Sequence, residues 1–180
     1  MLKLFVISYS FYKGGAAIAA NNFSKLIETN SNIELKRISQ DKFQLPHFLK
    51  RLVSFSLSKL QYSTNPIKHS LNLFTFKPVL KAIDKYQKSI FHFHWITNDT
   101  LSVFDFYRIP LYSIITLHDE WLYLGTEHYH NPNDLSEDYI LGYKPKKKSI
   151  IGINWNYLIW KKKYEFLSNR KDLIFTVPSN

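Results

Sequence analysis

The sequence predicts an α/β fold: a Rossmann-like, doubly wound and mostly parallel sheet with helices on both faces. Three observations lead there. Short, uninterrupted apolar runs recur along the chain, as strands buried on both faces require. Segments with helical spacing separate them. The resulting order of strand, helix, strand, helix is that of doubly wound sheets.

The first strand is expected over Leu2–Ser8. The opening stretch MLKLFVISYSFYKGGAAIAA imitates a signal peptide, with one Lys, a short apolar run and an Ala-rich end. Ser8, Tyr9 and Ser10 break that run, so it reads as a strand followed by a helix. In the helix, Gly15–Thr29, residues Ala16, Ala19, Ala20, Phe23 and Ile27 share one side. Ile33–Ile38 is the second strand. The next clear helix, Pro78–Lys88, has Pro at its first position and continues with Val79, Leu80, Ile83 and Tyr86. Ile90–His94 is a third strand. Residues 98–108 fit a short helix, and Pro110 resets the chain. Leu111–Leu117 and Leu173–Val177 complete the strand set.

Residues 46–60, PHFLKRLVSFSLSKL, have two readings. Phe48, Leu49, Leu52, Val53, Phe55 and Leu60 recur at helical spacing, with His47, Lys50, Arg51 and Lys59 between them. One reading is a helix that covers the sheet with its apolar side. The other is a basic amphipathic helix on an anionic membrane surface.

Composition narrows the class. A chain of 180 residues suffices for one domain with a real core. The net charge of +10 favours anionic partners. The absence of cysteine excludes disulfides and thiolate metal sites and is compatible with the cytoplasm. Aromatic residues make up 17%, which excludes disorder. No apolar run reaches the roughly 18 residues of a spanning helix. KPKKK, Lys144–Lys148, reads as a solvated charge run.

Ligands of open α/β sheets bind beyond the carboxyl ends of the strands, and three features fall there. YKGGAAIAA follows the first strand. Gly14 and Gly15 permit close backbone approach, and the following helix offers free N–H groups to an anion. The GxGxxG pattern of dinucleotide sites is absent, and an ordinary strand-to-helix turn has the same spacing. FHFHW comes second; His92 and His94, two apart, share one face, and Phe93 takes the other. The third is LYSIITLHDEW followed by GTEHYH, which gathers His118, Asp119, Glu120, Glu127, His128 and His130. A His/Asp metal-dependent hydrolase is one reading of that density, but the spacing matches no metal motif. A non-catalytic basic binding module, for membrane or nucleic acid, is another. No RNP, zinc-knuckle or helix-turn-helix signal accompanies it, so nucleic acid is not expected.

The order of these features resembles the N-terminal domain of family 4 glycosyltransferases, GT-B enzymes that use nucleotide sugars, many in bacterial surface-polysaccharide biosynthesis. GGAAIAA, IFHFHWIT, IPLYSIITLHDEW and HYH correspond to that family's GGAARAA, HLHW, TLHDMW and TGGCHY. WKKK (Trp160–Lys163) and the terminal FTVPSN fit the same pattern. The resemblance covers essentially the whole chain. It implies that residues 1–180 are one acceptor-side domain, half of a GT-B fold, with the donor-binding domain truncated or carried by a separate chain. It implies that His118 points into the interdomain cleft as the catalytic residue, supported by Asp119 and Trp121. Gly14 and Gly15 take the place of the loop near the donor phosphates and acceptor, and His94 and Trp95 line the same cleft. Neither a cofactor nor a metal is implied. The partners implied are a nucleotide sugar and a glycan or lipid-linked acceptor, in the cytoplasm or peripheral to the inner membrane face. Ile18 departs from the family's arginine, and LGTEHYH departs from TGGCHY.

Overall fold

The computed structural model describes residues 2–61, 68–132, 138–143 and 152–178. In chain order it contains β1 (Lys3–Ile7), α1 (Gly15–Asn30), β2 (Glu34–Ile38), α2 (Leu45–Ser58), α3 (Lys77–Lys85) and β3 (Ile90–Phe93). A 3-10 turn (Val103–Arg108), β4 (Ile114–Thr116), the single-turn α4 (Asp138–Leu141), α5 (Trp155–Ser168) and β5 (Ile174–Thr176) follow. All five strands pair in parallel, in the order β2-β1-β3-β4-β5. The fold is therefore α/β and doubly wound, as expected. The chain winds outward from β1 to β2 and then returns to the other side of β1. The crevice of such a sheet lies where this reversal occurs, at the carboxyl ends of β1 and β3.

Alternation along the strands divides the core in two. Phe5, Ile7, Phe91, Phe93 and Ile115 face the larger cluster, where Val79 and Ile83 of α3, Phe106, Trp121 and Ile159 of α5 are buried. Leu4 and Val6 face the other way, onto Phe11 and the Ala20 and Phe23 side of α1. Ala17 and Ala20 are small enough to bring α1 close to the sheet. His92 lies on this second face, with Phe23 edge-on to its ring at 4.6 Å.

Several elements differ from expectation for local reasons. β4 is shorter than Leu111–Leu117 because Tyr112 is left-handed (φ 58°) and the Ser113 hydroxyl donates to Pro110 O, which makes a turn first. The 98–108 helix starts only at Val103, since Asn98 and Asp99 are also left-handed (φ 54° and 58°). Ser102 caps it by accepting from Phe104 N. β5 is an edge strand with all three residues exposed, not buried on both faces. α5 has no clear apolar stripe in the sequence, because two of its three buried residues, Asn156 and Lys163, are polar.

The largest correction concerns α2. It does not cover the sheet with its apolar side. His47 and Ser54 are buried, whereas Leu45, Phe48, Leu49, Leu52, Val53 and Phe55 are exposed. Ser54 Oγ donates to the buried Asp99 carboxylate (2.8 Å), and Arg51 donates to Tyr9 Oη, so polar anchors hold the inner side. KPKKK lies outside the described residues. Among them, no helix is long and apolar enough to cross a membrane.

Candidate functional site

A cleft of about 520 Å³ opens beyond the carboxyl ends of the strands. Its floor and walls come from the segments after β1, β3 and β4. Lys13, Gly14, Gly15, Ala16 and Ala19 form one wall, and Trp95, His118 and Asp119 another. Lys68, His128, Tyr129 and Pro178 close the rim.

The first wall is a helix start left open. Ser10 Oγ donates to Asp41 (2.6 Å) and accepts from Tyr12 N and Lys13 N, which shapes the turn. Gly14 then sits at φ 94°, where a side chain would be strained. The first helical bond runs from Ile18 N to Gly14 O. The N–H groups of Gly15, Ala16 and Ala17 precede it and have no helical acceptor. No side chain caps them, and no acid lies in the first turn. A Cβ at Gly14 or Gly15 would meet nothing within 4 Å, so the backbone is bare to the cleft. With Lys13 and Lys68 nearby, this wall suits an anion.

The second wall is a chain of imidazoles. The rings of His92 and His94 lie 4.2 Å apart, and His94 stacks on His118 at 5.3 Å. His94 Nδ1 and His118 Nε2 are 3.0 Å apart and share a proton-mediated hydrogen bond. Burial lowers all three pKa values: His92 to about 4, His94 to about 3, and His118 below its usual range. The three rings are neutral at pH 7. Their tautomers follow from the orphan atom. His94 Nε2 is buried with no partner. A buried N–H without an acceptor is the rarer defect, so that nitrogen is the bare lone pair. The proton then sits on His94 Nδ1 and is donated to His118 Nε2. Neutral His118 consequently carries its own proton on Nδ1, a donor available to the cleft.

Asp119 organises the rest. Its Oδ2 accepts from Trp95 Nε1 (2.5 Å) and His128 Nδ1 (2.6 Å), and its Oδ1 accepts from Trp121 N (3.1 Å). Burial opposes its charge, but hydrogen bonds from His128, Trp95 and the Trp121 backbone outweigh this and hold its pKa below the carboxylate norm. Burial also lowers His128, against the pull of Asp119. Neutral His128 donates from Nδ1, so its Nε2 accepts from Ser70 Oγ (2.8 Å). Lys68 lies over the Trp95 ring at 4.1 Å.

The structure thus places Gly14, Gly15, Trp95, His118 and Asp119 at one cleft. It sets two expected residues back from it. His94 is buried behind His118, which it orients. Trp121 lies in the main core, 2% exposed, and donates from Nε1 to Ser70 O. Sequence reasoning missed Lys68, which no motif marks, and the structural role of Lys163. Lys163 is fully buried and donates to Trp121 O and Gly125 O, fastening the segment that follows Asp119. His130 pairs with Glu120 away from this network. Among the described residues, no three His, Asp or Glu converge as a metal-binding group.

No protein-family model, no curated protein and no solved structure matches this chain.

Proposed function

We propose that this chain is the acceptor-side, N-terminal domain of a GT-B glycosyltransferase, moving a sugar from a nucleotide sugar to a glycan or lipid-linked acceptor. The observation that supports this best is one cleft joining an uncapped helix start at Gly14–Gly15 to the His118 ring. In the transfer, the acceptor hydroxyl oxygen bonds the anomeric carbon as the bond to the diphosphate oxygen breaks, and the hydroxyl proton passes to the departing diphosphate. Negative charge grows on the diphosphate. The α1 amides, Lys13 and Lys68 suit that charge, with no metal required. The Nδ1–H of His118 suits a sugar oxygen. The cytoplasm is the expected compartment.

Gripping the nucleotide falls to a second, donor-binding domain, on a longer form of this chain or on another chain. Alignment of reacting groups can lower a barrier by roughly 7–11 kcal/mol. In this reading the nucleotide grip lies on that second domain, so residues 1–180 by themselves should transfer no sugar at a useful rate. The test is reconstitution with the reading frame immediately downstream, assayed for nucleoside diphosphate release from a panel of nucleotide sugars. In the active complex, His118→Ala should depress turnover much more than it weakens nucleotide binding. Full activity of the His118→Ala complex removes His118 from the site. Robust transfer by residues 1–180 unaided refutes the two-domain reading.

A further inference from the structure

We infer that α2 docks this protein on an anionic phospholipid surface through its outward apolar face. The inference extends the glycosyltransferase reading, on which a lipid-linked acceptor rests, but the surface itself is argued from the helix. α2 is amphipathic in the reverse sense to a core helix. Its inner side is His47, Arg51 and Ser54, tied to Tyr9 and Asp99. Its outer side presents Leu49 (53% exposed), Leu52 (44%), Val53 (48%) and Phe55 (60%). At 3.6 residues per turn these, with Leu45 and Phe48, span an arc of roughly 160°. An apolar arc that broad, pointing to solvent and interrupted by Ser56, matches an interfacial helix.

Charge selects the occupant. Between Lys42 and Ile83 there is no Asp or Glu, while Lys42, Lys50, Arg51, Lys59, Lys68, Lys77 and Lys81 all fall there. Three exposed lysines flank that face: Lys42 ahead of the helix, Lys50 beside the arc and Lys59 at the helix C-terminus. A second copy is a poor partner, since each chain carries +10. An anionic bilayer satisfies both the apolar arc and its basic rim.

Position gives the docking a purpose. The Arg51 guanidinium lies over the Tyr9 ring at 5.2 Å. Tyr9 in turn meets Trp95, a wall of the cleft, edge-on at 5.5 Å. Only Arg51 and Tyr9 therefore separate the inner side of α2 from the Trp95 wall of the cleft.

The experiment is flotation of residues 1–180 with vesicles of phosphatidylcholine alone or with about 30% phosphatidylglycerol, using a typical anionic-leaflet charge. Binding should require the anionic lipid and weaken as salt rises. Lys50→Glu with Lys59→Glu should lower partitioning at least about tenfold, from a factor of about five per basic residue. Leu52→Ser with Phe55→Ser should abolish it. Both pairs are exposed, so circular dichroism should report an unchanged fold. No flotation with the anionic vesicles at low salt overturns the inference, as does unchanged flotation of the Leu52→Ser, Phe55→Ser variant. Sedimentation velocity showing a dimer that this variant disperses assigns the face to a second copy instead. Lost flotation with sugar transfer intact in the reconstituted enzyme refutes the docking alone. Intact flotation with no transfer refutes only the glycosyltransferase reading.

Discussion

Asp119→Asn is the substitution that most directly tests the site network. The side chain is nearly buried, and its two oxygens receive three N–H donors. An amide cannot satisfy all three. If its NH2 turns to Trp121 N, one donor loses its acceptor; if it turns to Trp95 and His128, two do. The first orientation costs less. It leaves the Trp121 N–H unsatisfied, worth about 1–3 kcal/mol, and weakens two charge-assisted bonds by roughly 0.5–1 kcal/mol each. The expected destabilisation is about 3 kcal/mol at pH 7, a fall in Tm of roughly 6–12 °C for a chain of this size. The pH dependence has a definite sign. The folded pKa of Asp119 is depressed below 3.8, so its contribution is complete above that value and is lost as pH falls through the folded pKa. Asp119 also favours charged His128, so the difference between wild type and variant should hold or widen while that ring titrates and shrink below about pH 4. Urea unfolding of both proteins across this range is the assay. A difference below about 0.5 kcal/mol at pH 7, the size of an ordinary surface substitution, refutes the reasoning. A difference that still grows as pH falls below about 4 refutes it equally.

Two further outcomes follow from the same geometry. Long-range ¹⁵N–¹H NMR should find His118 protonated at Nδ1, and His94→Phe, which removes the donor to Nε2, should turn it into a tautomer mixture; an Nε2–H His118 in the wild type contradicts the assignment. Burial holds the folded pKa of Lys163 well below 10.5, so between that value and 10.5 the unfolded chain binds more protons and stability rises with pH. Lys163→Met should flatten that rise, and equal slopes for the two proteins in urea unfolding as pH approaches 10.5 would show that the folded amine is still charged.

The parallel strand and helix alternation was legible in the sequence, because burial on both faces leaves continuous apolar runs that local chemistry cannot disguise. Leu2–Ser8 and Ile90–His94 needed little correction for that reason. The two glycines at Gly14–Gly15 were legible as a candidate, but an ordinary strand-to-helix turn has the same spacing, and only the structure shows their uncapped helix start in a cleft wall. What the sequence left open was settled by direction in space. FHFHW fixes that His92 and His94 share a face, but only the pairing of β3 with β4 brings His94 against His118 and sets it behind the cleft. Lys68 reaches Trp95 from a segment that carries no motif, through a contact that spans 27 positions. Lys163 reads as one charge in a basic run and becomes a buried clasp because α5 turns it onto two backbone carbonyls. The apolar stripe of α2 was visible as a periodicity, and periodicity has no sign. Whether the stripe faced the sheet or the solvent was decided by Ser54 finding Asp99, 45 residues on, a polar anchor that only the tertiary structure could supply.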